Sequence, residues 1–169
     1  MVVCAYNAAD TIEDCLTSIE RLTYPDYEII LVNDGSRDGT SEIAHARPGV
    51  RVVDIPNRGL SAARNVGLSV ATGEIIAYTD ADVRVDRDWL TFLVQPFLTS
   101  DVVASGGPNV VPPDDSPIAQ YRYENGIAIL SDLCALFAAK RHTVSSSNLR
   151  PFGCIDRQGC SIQRSIEFN

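Results

Sequence analysis

No apolar run in this sequence approaches the ~20 residues needed to cross a bilayer. The longest candidate, Ile127 to Ala139, is interrupted by Ser131 and Asp132 and reads as a core helix, so no membrane span is expected. Cationic charge is scarce. With 14 Lys+Arg against 22 Asp+Glu the net charge is −8, which argues against a surface built on phosphate neutralisation and so against nucleic acid as a partner. The five cysteines (Cys4, Cys15, Cys134, Cys154, Cys160) are odd in number and form no C-x-x-C. Neither a disulfide framework nor a zinc knuckle fits, and thiols in a reducing compartment are the expectation. No basic segment followed by an apolar stretch opens the chain. A cytoplasmic protein is expected, with the inner face of a membrane as one place of work.

What is present fits one ordinary domain, since 169 residues with 45% hydrophobic and 21% charged suffice for one sizeable core. Charge is uneven along the chain. Residues 1–118 hold 8 Lys+Arg against 18 Asp+Glu, whereas residues 119–169 hold 6 against 4, so the sign reverses near residue 118. A division follows, with a domain over 1–118 and an atypical segment over 119–169.

Periodicity organises the first part. Val2 to Ala5 reads as a buried strand, and Ile12, Cys15, Leu16, Ile19 and Leu22 recur at helical spacing after a capping box of Asp10 and Glu13. Strands are then expected over Tyr27–Val32, Val50–Ile55, Glu74–Thr79 and Val102–Ser105, with helices over Asp38–Ala46, Leu60 to about Thr72, and Arg87–Thr99. This alternation predicts an α/β fold with a mostly parallel, doubly wound sheet, incomplete at its C-terminal side. Residues 118–140 read as helical, and residues 143–169 show no sustained period.

In such sheets ligands bind beyond the carboxyl ends of the strands. The groups to weigh are therefore Tyr6-Asn7, Asn33-Asp34, Asn57-Arg58 and Asp80-Ala81-Asp82. Ala5 to Ala9 carries no glycine, which removes the dinucleotide fingerprint, and no G-K-[ST] exists. Asp34, Ser36, Asp38 and Gly39 open like a calcium loop, but His45 stands where a bidentate Glu is needed, so turn chemistry is the plainer reading. Asp80-Ala81-Asp82 puts two carboxylates at a strand end, a pattern that suits Mg²⁺ or Mn²⁺ and equally a solvated turn. Arg64 alone is an ordinary helix arginine. His45 and His142 are isolated.

The combination is more specific than its parts. Val3-Cys4-Ala5-Tyr6-Asn7, Glu28 through Asn33-Asp34-Gly35-Ser36, Asp38-Gly39-Thr40, Asn57-Arg58-Gly59, Ala62-Ala63-Arg64-Asn65 and Ala71-Thr72-Gly73-Glu74 through Asp80-Ala81-Asp82 stand in the order and spacing of family 2 glycosyltransferases. The chain resembles their nucleotide-sugar-binding half, the GT-A fold, up to about residue 118. The resemblance implies that Ala5 and Tyr6 border the nucleoside base and that Asn7 shapes the turn beneath it. Asp34 would accept the N3–H of uracil or thymine, Arg64 would face the pyrophosphate, Asp80 would meet the ribose or sugar, and Asp82 would ligate a divalent metal, Mn²⁺ or Mg²⁺. The implied activity is metal-assisted, inverting transfer from a UDP- or dTDP-sugar to a saccharide, lipid or protein acceptor. A non-catalytic nucleotide-sugar-binding remnant is the alternative.

The chain also departs from that family. Members continue into an acceptor half with a carboxylate general base and often a Q-x-x-R-W segment. After residue 118 the only acids here are Glu124, Asp132, Asp156 and Glu167, and Trp89 is the sole tryptophan. These departures imply a truncated chain whose catalytic base is not identified.

Overall fold

The computed structural model describes residues 1–99, 104–106 and 137–140. Strands β1 (Val2–Ala5), β2 (Ile29–Asp34), β3 (Val50–Ile55) and β4 (Ile75–Asp80) alternate with helices α1 (Ile12–Glu20), α2 (Thr40–His45), α3 (Leu60–Val70) and α4 (Trp89–Thr99). Two further strands follow, β5 (Ala104–Gly106) and β6 (Phe137–Lys140). They form one sheet in the order β3-β2-β1-β4-β6-β5. Strands β3, β2, β1 and β4 run parallel, while β6 pairs antiparallel with both β4 and β5.

Alternation along each strand explains why both sheet faces are covered. Val3, Ala5, Ile29, Leu31 and Ala77 pack with Ile12, Leu16 and Ile19 of α1 and Leu90, Leu93 and Phe97 of α4. Val2, Cys4, Ile30, Val32, Ile76 and Tyr78 pack on the other face with Ala63 of α3. Each such Leu, Ile or Val contributes about 1.5–3 kcal/mol on burial. Helix α3 approaches β1 closely because Gly67 has no side chain, and a Cβ there would lie 2.3 Å from Val2 Cγ1.

Several boundaries differ from those the sequence predicts. Asn33 and Asp34 lie inside β2, in register with Asp54 and Ile55 of β3. Glu74 precedes β4 instead of opening it. The capping box of Asp10 and Glu13 does not form: Thr11 is the N-cap of α1 without a side-chain cap. The carbonyl of Ala8 takes the N–H groups of Thr11 and Ile12 and the Thr11 hydroxyl instead. The helix predicted over 118–140 does not extend through 137–140, which are strand β6 held by pairing to β4. The rest of that range, residues 102–103 of the expected fifth strand, and the irregular stretch expected over 143–169 lie outside the described residues. Among the described residues no helix is long and apolar enough to cross a membrane.

Candidate functional site

The strand order puts β1 between β2 and β4, so three chain segments meet at the carboxyl edge of the sheet. Ala5 lies in register with Asn33, and Cys4 with Asp80. Ala5, Tyr6 and Asn7, Asp34, and Asp80 with Asp82 are therefore brought to one edge, and Arg64 reaches it from α3.

Tyr6 is 52% exposed immediately after β1. Asn7 follows in the left-handed region at φ 50°, which a short polar side chain tolerates. The bend is held from both sides: the Asn7 N–H donates to Ser36 Oγ at 3.0 Å, and the Arg37 N–H donates to Asn7 Oδ1 at 2.8 Å.

Asp34 is 4% exposed, and its carboxylate spans the loop after β3. The Arg58 N–H donates to Oδ1 and the Gly59 N–H to Oδ2, each at 2.8 Å, while Asn57 Nδ2 donates to the Asp34 carbonyl at 3.0 Å. Each carboxylate oxygen keeps further accepting capacity. Gly35 at φ 71° makes this clasp possible, since a Cβ there would lie 2.6 Å from the Asn57 nitrogen.

Arg64 is not an ordinary surface arginine. Its side chain is 12% exposed, and Nη2 lies 3.2 Å from Asp80 Oδ1. Burial raises the pKa of Asp80 above its ordinary value; Arg64 opposes that rise and the neighbouring Asp82 adds to it. Asp82 itself is exposed in the turn after β4. Cys15 Sγ donates to the Asp80 carbonyl at 3.6 Å, anchoring this strand end from α1. Burial pushes the thiols of Cys4 and Cys15 up to about 12, so both stay protonated packing groups at neutral pH.

Among the described residues no cluster of three or more His, Cys, Asp or Glu forms a closed metal cage. Asp80, paired with Arg64, and the exposed Asp82 supply hard carboxylate oxygens. That donor set fits a cation such as Mn²⁺ or Mg²⁺, which keeps waters and takes its remaining ligands from phosphate oxygens.

Two sets of contacts, one centred on Glu28 and one on Asp54, escaped sequence reasoning. Glu28 Oε1 accepts from the Thr72 N–H and hydroxyl, each at 2.6 Å, and from the Gly73 N–H at 3.2 Å, joining the start of β2 to the turn before β4. Asp54 Oδ1 accepts from Asn33 Nδ2 at 2.7 Å and Ser41 Oγ at 2.9 Å, and its Oδ2 lies 2.8 Å from His45 Nε2. The only sequence signal for either is the recurrence of polar residues at strand ends.

At the carboxyl ends of its parallel strands the sheet thus gathers an exposed aromatic ring, a clasped carboxylate, an Arg–Asp pair and an exposed carboxylate. The chain belongs to glycosyl transferase family 2, whose profile matches residues 1–151, and the fold is GT-A-like. Over 89 residues it is 42% identical to the glycosyltransferase YibD of Escherichia coli (strain K12), covering 50% of this chain and 26% of YibD. Glucosyl-3-phosphoglycerate synthase of Mycobacterium tuberculosis, solved with Mn²⁺, uridine diphosphate and glucosyl-3-phosphoglycerate, superposes with TM-score 0.62 at 25% identity. That match covers 84% of this chain and 56% of the synthase. A mannosyltransferase of Pyrobaculum calidifontis, solved with GDP-Man and Mn²⁺, gives TM-score 0.61 at 30% identity, covering 84% of this chain and 44% of the enzyme.

Proposed function

We propose that this chain binds a UDP- or dTDP-sugar and serves the donor side of a metal-assisted, inverting glycosyl transfer to a saccharide, lipid or protein acceptor. The observation that carries the reading is the convergence of Tyr6, Asp34 and the Arg64–Asp80 pair on the ends of three adjacent strands. In this reading the exposed Tyr6 ring and Ala5 border the pyrimidine, above the turn that Asn7 shapes. Asp34 accepts the ring N3–H with the capacity left over from its two backbone bonds. Arg64 meets the pyrophosphate, Asp80 the ribose or sugar, and Asp82 holds the cation.

In the transfer the acceptor oxygen attacks the anomeric carbon, the bond from that carbon to the β-phosphate oxygen breaks, and the hydroxyl proton passes to a base not among these residues. When bound, the divalent cation neutralises charge building on the departing diphosphate. Arg64 adds a fixed positive charge on the same side, which an acidic protein needs in order to hold an anionic donor.

Calorimetric titration of uridine, thymidine, guanosine and adenosine diphosphates with and without Mn²⁺ tests the reading. The two pyrimidine nucleotides are expected to bind more tightly and to gain affinity with Mn²⁺. Equal affinity for all four would overturn the base assignment, and no binding at all would overturn the donor site.

A further inference from the structure

Three consecutive backbone N–H groups of the turn after β1 end on three side chains of the segment that runs from β2 into the start of α2. Asn7 donates to Ser36 Oγ at 3.0 Å, Ala8 to Thr40 Oγ1 at 2.8 Å, and Ala9 to Asp38 Oδ2 at 3.0 Å. The other oxygen of Asp38 takes the Thr40 N–H at 3.0 Å and the Thr40 hydroxyl proton. Thr40 is fully buried, so its hydroxyl has a fixed direction, donating to Asp38 while accepting from Ala8. A hydroxyl does both through a single oxygen.

The interlock has a consequence for what the turn can present to a ligand. With these N–H groups consumed inside the protein, the turn offers no row of backbone donors for a phosphate. What it offers is the exposed ring of Tyr6, placed by a bend whose next three residues are all tied to the neighbouring segment. Asp38 and Thr40 lie one step removed, holding the backbone that carries the contact.

The geometry points to Asp38 and Thr40 as positioning residues that set nucleotide affinity by holding the turn of Tyr6 to Ala9, a role that rests on the nucleotide-sugar reading of the site. Their effect falls on base recognition and leaves the gain from the cation alone, because Asp82 lies in a different turn, after β4. A merely structural role would lower stability without changing affinity in the folded protein.

The test uses the whole chain and the variants Thr40→Val, Thr40→Ser and Asp38→Ala. Amide hydrogen exchange at Asn7, Ala8 and Ala9 is measured without nucleotide, and uridine diphosphate is titrated calorimetrically with and without Mn²⁺. Thr40→Val and Asp38→Ala are expected to exchange faster at these amides and to bind uridine diphosphate about tenfold more weakly, the value of roughly one hydrogen bond. The ratio of affinities with and without Mn²⁺ should stay at the wild-type value, and Thr40→Ser should restore binding. Faster exchange with wild-type affinity would overturn the positioning role, as would loss of the Mn²⁺ ratio in step with affinity. If wild-type protein does not bind uridine diphosphate, the nucleotide reading falls and this role with it; wild-type binding with indifferent variants removes the positioning role alone. Asp38 is exposed, so Asp38→Ala carries the readout should Thr40→Val fail to fold.

Discussion

Arg64 of α3 and Asp80 at the end of β4 form a part-buried ion pair at 3.2 Å, which joins a helix to the strand end it covers. In the function proposed above, this pair is what meets the donor's pyrophosphate and ribose. The positive group is thereby held in place before any ligand arrives.

Removing the cation from this pair should expose the cost of the remaining carboxylate. Arg64→Met is expected to destabilise the fold by about 1–3 kcal/mol at neutral pH, the cost of a part-buried carboxylate left without its partner. The pKa of Asp80 is already raised from 3.8, chiefly by burial and against the pull of Arg64. A raised carboxylate means that the folded state binds its proton more tightly, so stability falls as pH rises above 3.8, and more so without Arg64. Urea denaturation should show a smaller difference between variant and wild type at about pH 3.5 than at about pH 7.

The Asp34 carboxylate is already engaged by two backbone N–H groups of its own protein. Asp34→Ala leaves the Arg58 and Gly59 N–H groups without their acceptor and is expected to cost about 1.5–3 kcal/mol of stability. It should also weaken uridine diphosphate with or without Mn²⁺. Denaturation and calorimetry on the same variant check both effects.

Asp82, exposed and outside these networks, should act through the cation alone. Asp82→Asn is expected to cut the gain in diphosphate affinity that Mn²⁺ brings while leaving metal-free affinity and melting temperature near wild type. An unchanged Mn²⁺ gain in calorimetry would return the Asp80–Asp82 segment to a plain turn.

Gly35→Ala meets two obstacles at once, φ 71° and a backbone nitrogen 2.6 Å from the new Cβ. A loss of about 1–3 kcal/mol is expected from the strained backbone. Because the displaced neighbour is Asn57, hydrogen exchange at Arg58 and Gly59 should also speed up, which an exchange map would show.

Glu28 ties β2 to the turn before β4, and acid should undo the tie. Burial raises its pKa, but hydrogen bonds from the Thr72 hydroxyl and from the Thr72 and Gly73 N–H groups outweigh that, leaving it below 4.5. The folded state thus protonates less readily than the unfolded one. This contribution is complete above 4.5 and is lost as pH falls through the folded value. Glu28→Gln should be less stable than wild type near pH 7, with the difference shrinking at about pH 3 in urea titrations.

How much of this was legible in advance depended on the reach of each interaction. The apolar spacing of Ile12, Leu16 and Ile19, and the continuous run at Ile29–Val32, determined the helices, the strands and their alternation, because periodicity is set by neighbours a few residues apart. The same local patterns, in the order quoted, were enough to identify the family resemblance and to single out Tyr6, Asp34, Arg64, Asp80 and Asp82. Tertiary structure alone decided what those side chains do within the protein. Asp34 clasps a loop 24 and 25 residues away, and Thr40 holds Ala8 across 32 residues. Strand β6 enters between β4 and β5 from a stretch whose local pattern reads as helix, because backbone pairing to Ile75–Tyr78 outweighs a weak local preference. Hydrogen bonds between distant turns leave no period in the chain, so they exist only once the sheet has brought the strand ends together.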